Sequence, residues 1–580
     1  MASNCSSLSF SSKQKTYFIL LFVSTALSLF IFLVVKPTKR VPIITSILNH
    51  HQVEKTKPSW FDVIEKNIGP SKRRIKVGLV NFDSRVVNDN SSSLFYDKLD
   101  ALHPRVETVS VEFDHVDKNM KWEDIFPEWI DENNAKCPDL PMPKLENHRD
   151  LNVVVARVPC MNNKGGIIIR DVFRLQVNLV VANLAVESGW AKKLDTNEDV
   201  YVVFIGSCGP MVDIFRCDDI LMHQLGEYWV YKPDLRSLKQ KTLMPLGSCK
   251  IAPAYAETGK EAWRAYMTHS AATLKMYNSS VHIPRLAYVT VLHSSEAYVC
   301  GAIALAQSII KLQTNNTKDG RNIDLLLLAD DSIGPNSIKG LEASGWKIKH
   351  IQRILNPFAQ KGSYNEWNYS KLRIWQLTMY DKIIFLDSDL LVLKNIDDFF
   401  IYPQLSAAPN DKILFNSGLM VIEPSMCMFE HLMNQSLKVK PYNGGDQGFL
   451  NEVFTWWHRF PRKLNYLKSF SDEGNNNNEI PNEDLYVMHY LGIKPWDCYR
   501  DYDCNWDMKD HLVFASDSAH KRWWEVYDGM PKELQSYCGL TKKKEERIMN
   551  HRRMARNASS LNDEHWKVEV KDPRRKHYVD

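Results

Sequence analysis

The feature that most limits how this chain can fold lies in its second half. Lys382-Ile383-Ile384-Phe385-Leu386 reads as a buried strand, ends in Asp387-Ser388-Asp389, and resumes as Leu390-Leu391-Val392-Leu393. Two carboxylates between apolar stretches cannot stay buried and unpaired, because an isolated charge in a low-dielectric interior is too costly. They belong at an open strand end, facing a cation or a polar ligand. One residue between two acids gathers hard oxygen ligands at one point. Mn²⁺ or Mg²⁺ takes such ligands while leaving positions open for the oxygens of a diphosphate. A lone Asp-x-Asp is more commonly a solvated turn or cap, and the apolar flanks argue against that here.

The neighbouring segments set the fold class. Residues 287–292 and 323–329 read as strands, and residues 297–312 have helical spacing between them. Alternating strands and helices imply an α/β domain over 285–540, a mainly parallel sheet with helices on both faces. Ligands of such sheets bind beyond the carboxyl ends of the strands, where the acid pair lies. An earlier block, 75–270, has β-branched runs at 76–82, 151–158 and 200–205 with a helical pattern at 172–187. It reads as a second α/β domain, and it carries no motif from which a role can be argued. Residues 36–74 read as a stem and 541–580 as a flexible basic tail.

Residues 16–35 contain no charged side chain and are dominated by Phe, Leu, Ile and Val. Twenty helical residues span about 30 Å, the thickness of a bilayer core. The run is longer than the apolar part of a cleaved signal peptide, and Lys36-Pro37-Thr38-Lys39-Arg40 is a poor exit for a peptidase. We therefore expect residues 1–15 as a cytosolic tail, one uncleaved transmembrane signal anchor at 16–35, and a lumenal body. Asn-x-Ser/Thr sequons at Asn90, Asn278, Asn315, Asn368, Asn434 and Asn557 fit a lumenal glycoprotein. Ten of the 11 cysteines follow the anchor, an even number that suits an oxidising lumen. Cys300 and Cys427, inside apolar runs, read as buried free thiols, whereas Cys498 and Cys504 are the better disulfide candidates. The net charge of +4 excludes a nucleic-acid binder. Residues 541–580 hold 12 Lys/Arg against 7 Asp/Glu, which leaves 61 against 62 for the rest.

Three further segments carry candidate chemistry. Asn416-Ser417-Gly418 interrupts an apolar strand where a ligand could approach the backbone. Asn443-Gly444-Gly445-Asp446-Gln447-Gly448 precedes a helical pattern at 449–457 and either opens that helix against a ligand or supplies Asp446 as its N-cap. His489-Tyr490-Leu491-Gly492-Ile493-Lys494 follows a short strand at 485–488. A single histidine there is ordinarily a core residue, but beside the acid pair it becomes a third metal ligand, with Lys494 for a phosphate. Trp456-Trp457, Trp496, Trp506 and Trp523-Trp524 offer flat faces for sugar rings, with core packing the alternative, preferred for Trp456.

Residues 368–400, NYSKLRIWQLTMYDKIIFLDSDLLVLKNIDDFF, resemble the corresponding segment of glycogenin and other glycosyltransferase family 8 enzymes. Ser406-Ala407-Ala408-Pro409, Asn416-Ser417-Gly418, Gly444-Gly445-Asp446-Gln447-Gly448 and His489-Tyr490-Leu491-Gly492 with Lys494-Pro495-Trp496 recur in the same order. The resemblance spans about 285–500. The anchor, the preceding domain and the loop at 495–506 are similar to the plant glycogenin-like branch, and within it to the UDP-glucuronate:xylan α-glucuronosyltransferases of the Golgi. This implies a GT-A fold, Mn²⁺ (or Mg²⁺), a UDP-sugar donor transferred with retention, and a type II Golgi membrane protein whose catalytic domain is lumenal. The implied metal ligands are Asp387, Asp389 and His489. The implied donor-binding set adds Ser388, Asn416, Ser417, Gly418, Asn443, Gly444, Gly445, Asp446, Gln447, Tyr490, Leu491, Gly492, Ile493 and Lys494, with residues 289–298 toward the uridine. Lys371, Asp446 and Gln447 are the implied catalytic groups, Asp446 suiting a covalent course and Gln447 a front-face one.

Asn443 replaces an acid of glycogenin, which permits a donor sugar bearing a carboxylate. Arg373 is a candidate partner for that carboxylate, or simply a surface arginine. UDP-glucuronate and xylan or xylo-oligosaccharide are thus the expected substrates. A glycogenin-like glucosyltransferase, a sphingolipid glucuronosyltransferase, and a non-catalytic carbohydrate-binding scaffold of a Golgi glycan-synthesis complex are the alternatives.

Overall fold

The β-branched and aromatic runs become the strands of two sheets that share one core. The computed structural model describes residues 59–68, 74–82, 105–190, 199–253, 284–314, 323–467, 484–500 and 517–558, less a few positions within them, with Asp572 and Arg574. The run at 16–35 and most of the stem lie outside the described residues. No helix among the described residues is long and apolar enough to cross a membrane.

The first sheet contains β1 (Ile75–Val80), β2 (Val106–Val111), β3 (Val153–Arg157), β4 (Tyr201–Ile205), β5 (Ile220–Gln224) and β6 (Tyr228–Tyr231), in the order β2-β1-β3-β4-β6-β5. Its first four strands are parallel and its last two antiparallel. Successive residues of β3 point to opposite faces, and both faces are covered. Val153 and Val155 cluster with Trp60 and Ile64 of helix α1 (Ser59–Ile68), and Val154 clusters with Leu175 and Ala182 of α2 (Val172–Trp190).

The later strands are β7 (Leu286–Leu292), β8 (Asp324–Ala329), β9 (Lys347–His350), β10 (Lys382–Leu386), β11 (Leu390–Val392), β12 (Ser406–Asp411), β13 (Leu414–Ile422), β14 (His458–Arg459), β15 (Tyr466–Leu467) and β16 (Val487–His489). Seven form the second sheet, in the order β9-β8-β7-β10-β13-β12-β14; the other three form a small sheet, β11-β16-β15. The second sheet is mixed. β9, β8, β7 and β10 run parallel, as the alternation implies, but β13 is antiparallel to both β10 and β12. Helix α3 (Val299–Thr314) follows β7, and α4 (Met426–Ser436) and α5 (Asp446–Val453) follow β13.

The two α/β parts are joined by more than apolar packing, which runs unbroken from Val154 and Val202 to Val289 and Phe385. Arg216 lies 3.4 Å from Glu423, and Lys382, the first residue of β10, lies 3.6 Å from the same carboxylate. Arg459 donates to the carbonyls of Ser248 at 2.6 Å and Pro127 at 2.7 Å. Arg170 donates to the Asn451 carbonyl in α5 at 3.1 Å. The Cys217–Cys427 disulfide and a 2.8 Å bond from Ser425 to Asp218 fasten α4 to the first part.

Three expectations are corrected. Cys300 and Cys427 are not free thiols: Cys137–Cys249, Cys160–Cys208, Cys217–Cys427 and Cys300–Cys538 are disulfides. An apolar neighbourhood marks burial, while pairing depends on segments 210 and 238 residues away. Cys498 is also disulfide-bonded, and Cys504 lies outside the described residues. The basic terminus is not a free tail. Lys542–Ala558 forms helix α6, whose Ile548 packs with Cys498, Tyr499 and Leu540. Arg574, 2% exposed, donates to the Trp496, Cys498 and Cys538 carbonyls and lies over the Trp524 ring. The sequon at Asn368 is no glycan site, since this side chain is 5% exposed and bonds Asp446; Asn434 and Asn557 are exposed, and Asn90, Asn278 and Asn315 lie outside the described residues.

Candidate active site

Strand pairing brings the acids and the histidine together. Leu386 at the end of β10 pairs with Leu419, so the antiparallel β13 delivers Asn416-Ser417-Gly418 beside the acid loop. The Asp387 amide then donates to the Gly418 carbonyl at 2.8 Å. Leu390 of β11 pairs with His489 of β16, and the Tyr490 amide donates to the Asp389 carbonyl at 3.0 Å. Asp387, Asp389 and His489 consequently each present a ligand atom, all within 4.8 Å of one another.

The tautomer of His489 follows from a chain of amides. Asn465 Nδ2 donates to Asn416 Oδ1 at 3.0 Å, which leaves Asn465 Oδ1 as the group facing His489 Nδ1 at 3.2 Å. In the neutral imidazole Nδ1 therefore carries the hydrogen and Nε2 a lone pair. That lone pair faces Asp389 Oδ1 at 3.3 Å. Two acceptors aimed at each other are repulsive unless a cation lies between them, so this donor set fits a divalent metal. Gly418 has to be glycine here, because a Cβ would come within 2.6 Å of the His489 ring and 2.8 Å of Asn416 Oδ1.

Two lysines complete the electrostatics. Lys494 Nζ lies 2.5 Å from Asp389 Oδ2 and 2.6 Å from the Tyr490 carbonyl. Lys371 Nζ lies 3.1 Å from Asp387 and 2.6 Å from Asp446. Burial alone would raise the Asp389 carboxyl, but the Lys494 ammonium holds it well below the ordinary range. Burial pushes Asp387 up against the pull of Lys371. Lys371 would be lowered by burial, yet Asp387 and Asp446 hold it above its usual value. Three carboxylates against two ammonium groups leave this cluster short of positive charge, which again suits a cation.

The other expected residues divide into those facing the site and those that build it. Ser417 lies between Lys371, at 3.3 Å, and Asp446, at 3.2 Å, and its amide donates to Gln447 Oε1 at 3.2 Å. Asp446 is not an N-cap: α5 is capped by Gly445, and Asp446 pairs with Lys371 and accepts from Asn368 at 3.2 Å. Asn443 is spent on its own loop, its Oδ1 accepting from the Gly445 and Gly448 amides at 2.9 and 3.0 Å. Gly444 has φ +71°, and its carbonyl accepts from Asn356 at 2.9 Å. Ser388 is 8% exposed between the two acids. Tyr490 cannot reach a donor through its ring, which is fully buried with its hydroxyl on the Ala519 carbonyl at 2.7 Å. Ile493 packs against Cys498 and Leu540, while Leu491 and Gly492, at φ +63°, shape the turn to Lys494. Arg373 donates to Gln352 and Gln376 at 3.1 and 2.9 Å, as a structural arginine does.

The expected sugar-stacking tryptophans are core residues. Trp456, Trp457, Trp496, Trp523 and Trp524 are all 2% exposed or less, and Trp506 lies outside the described residues. Trp456 and Trp457 are also not helical, since α5 stops at Val453. Sequence reasoning missed Asn465, which orients His489, and Asn368, which was read as a sequon although it stands three residues before Lys371. It also missed the β8 end, where Asp330 accepts from the Ser294 amide at 3.3 Å and pairs with Arg353 at 3.0 Å, beside the segment expected to take uridine.

Comparison with known proteins agrees with this geometry. Residues 289–499 match the glycosyl transferase family 8 model, and residues 50–249 match the GUX1-5 N-terminal domain. An Arabidopsis thaliana UDP-glucuronate:xylan alpha-glucuronosyltransferase, number 2 of its series, is 49% identical over 482 residues, 81% of this chain and 78% of its own. A protein of the same plant named "Putative UDP-glucuronate:xylan alpha-glucuronosyltransferase 4" is 50% identical over 573 residues, 97% of this chain and 98% of its own. Inositol phosphorylceramide glucuronosyltransferase 1 of Arabidopsis thaliana is 34% identical over 241 residues, 37% of this chain and 43% of its own. The chain is a glycosyltransferase that belongs to glycosyl transferase family 8 and, within it, to the group of UDP-glucuronate:xylan alpha-glucuronosyltransferases.

Proposed function

We propose that this chain transfers glucuronic acid from UDP-glucuronate to xylose units of xylan, with retention of configuration. The observation that carries the reading is the intact cluster of Asp387, Asp389, His489, Lys371 and Lys494 in a chain matched over 81% of its length by a UDP-glucuronate:xylan alpha-glucuronosyltransferase. The ceramide-directed relative matches 37%, which favours the glycan acceptor over the lipid. A carbohydrate-binding scaffold would have no need to keep both acids and the oriented histidine.

Asp387, Asp389 and His489 would hold Mn²⁺ or Mg²⁺, which when bound supplies Lewis-acid stabilisation of a departing diphosphate. Lys494 adds positive charge on the leaving-group side. Lys371 holds Asp446 in place at 2.6 Å. With Lys371 and Ser417 on one Asp446 oxygen and Asn368 on the other, that carboxylate is a weak nucleophile. A front-face course suits this arrangement better than a covalent one. The bond from C1 to the UDP oxygen breaks, the acceptor oxygen bonds C1 on the same face, and its proton passes to the departing phosphate. Gln447 faces the site through an amide anchored on Ser417 and stabilises the cationic sugar.

We also infer a type II Golgi membrane protein, anchored by residues 16–35 with its catalytic body in the lumen. The disulfides of the described residues are those of an oxidising compartment. Release of UDP from a panel of UDP-sugars tests the donor. UDP-glucuronate should be turned over well above UDP-glucose and UDP-xylose, and a preference for UDP-glucose would overturn the reading.

A further inference from the structure

The rim of the site exposes large apolar and aromatic side chains. Residues 355–367 form a loop whose ends are tied together. Ile354 bridges to Asn368, and the Asn356 amide donates to the Glu366 carbonyl at 2.8 Å. Asn356 and Asn365 pack this loop onto the Gly444-Gly445 turn that opens α5. The loop carries Leu355, 51% exposed, Phe358, 37% exposed, and Tyr364, 79% exposed; Tyr442, 48% exposed, lies just before the turn. In a fold that buries Trp375, Trp457 and Trp496 completely, large apolar side chains gathered on one functional rim mark a binding surface.

Two of these rings stand beside the donor site. Tyr364 directly precedes Asn365, whose Oδ1 accepts from Asn368 Nδ2 at 3.0 Å, and Asn368 in turn donates to Asp446 at 3.2 Å. The Tyr442 hydroxyl accepts from Gln447 Nε2 at 3.1 Å, and Gln447 Oε1 in turn accepts from the Ser417 amide. Both positions thus adjoin residues that bond the site, and both side chains are largely exposed.

We propose that Tyr364 and Tyr442 are the acceptor platform, stacking on sugar rings of an uncharged pentose chain so that one hydroxyl is turned toward the donor sugar. The proposal rests on the xylan glucuronosyltransferase reading for the identity of that chain. Rigid aromatic faces suit the C–H faces of pyranose rings and lose little rotamer freedom on binding. This assigns the role expected of the tryptophans to tyrosines, because every tryptophan of that expected set among the described residues is buried.

The test separates acceptor from donor and binding from turnover. With xylohexaose and UDP-glucuronate, Tyr364→Ala and Tyr442→Ala should each raise the acceptor KM by about tenfold, the scale of one lost aromatic contact. The donor KM of Tyr364→Ala should move less than about twofold on that scale, and Tyr364→Phe should restore the acceptor KM. Leu437→Ala, at a residue 72% exposed and outside the rim, is the control and should change neither constant. Saturation-transfer NMR of xylohexaose with the wild-type chain should show ring contact without donor present. Transfer with acceptor KM unchanged in both tyrosine variants overturns the platform and leaves the reaction standing. A raised donor KM alone makes Tyr364 a donor lid and also overturns it. Xylohexaose binding through the rings without transfer keeps the platform and removes the reaction.

Discussion

Gly301, in α3, gives a quantitative test of how the acid loop is held. A Cβ at this position would lie 2.3 Å from the Ser388 carbonyl oxygen and 2.5 Å from the Trp496 ring. Trp496 cannot yield, since it is buried and its Nε1 donates to the Ala297 carbonyl at 2.9 Å. A carbon needs about 3.3 Å from a carbonyl oxygen, so Gly301→Ala must move Ser388 by about 1 Å. Ser388 is the residue between Asp387 and Asp389, and both carboxylates move with it. A shift of about 1 Å at a reacting centre costs on the order of 100-fold in rate, about 2.7 kcal/mol of activation free energy. Stability responds differently. Alanine improves helix propensity by about 1 kcal/mol, and overpacking costs about 1–3 kcal/mol, so the net change is about 0–2 kcal/mol. The assay is kcat on xylohexaose with Mn²⁺ affinity and a thermal melt measured on the same samples. Gly529→Ala, whose Cβ would meet nothing within 4 Å, is the control. Wild-type kcat and metal affinity in Gly301→Ala would mean that the acid loop is not held by its contact with α3.

Other consequences are equally measurable. Asn465→Leu removes the acceptor that fixes His489 Nδ1–H and should weaken Mn²⁺ binding by about 10–100-fold by calorimetry, with little change in the fold. His458 is fully buried with neither ring nitrogen bonded, and burial pushes it down to about 3. The unfolded chain, with the ordinary histidine value of about 6.5, binds the proton more tightly than the folded one. Stability from this group is therefore complete above about pH 6.5 and lost as pH falls toward 3, and His458→Leu should flatten that part of the denaturation profile against pH. Replacing Cys217 and Cys427 by serine opens a crosslink of 210 residues and should lower unfolding stability by about 2–5 kcal/mol. The melting temperature should drop accordingly, and kcat at low temperature should hold.

The legible parts of this molecule were the local ones. The β10 strand and its Asp387-Ser388-Asp389 ending announce themselves because five strand residues and two acids are contiguous. Lys371 and Gly418 were found by their motifs, but their reasons, a double ion pair and a close approach to His489, exist only in space. Asn465 carries no signal in its own neighbourhood, since its work depends on β11 pairing with β16. Cys300 and Cys427 were misread because an apolar run around Cys300, for example, describes its burial and says nothing of Cys538. Trp456 was rightly placed in the core, but the sugar-stacking reading of Trp457, Trp496, Trp523 and Trp524 failed for the converse reason: aromatic density alone cannot distinguish a core from a sugar platform.

We propose that the Asp387, Asp389 and His489 cluster serves the transfer of glucuronic acid to a xylan chain. The most direct measurement is the product formed from UDP-glucuronate and xylohexaose by the purified chain, analysed by mass spectrometry and NMR, for the wild type and Asp389→Ala. The wild type with Mn²⁺ should give an α-linked glucuronosyl xylohexaose and Asp389→Ala at least about 100-fold less, the scale of a lost electrostatic group in an active site. Undiminished product from Asp389→Ala, or a β-linked product from the wild type, would contradict the proposal.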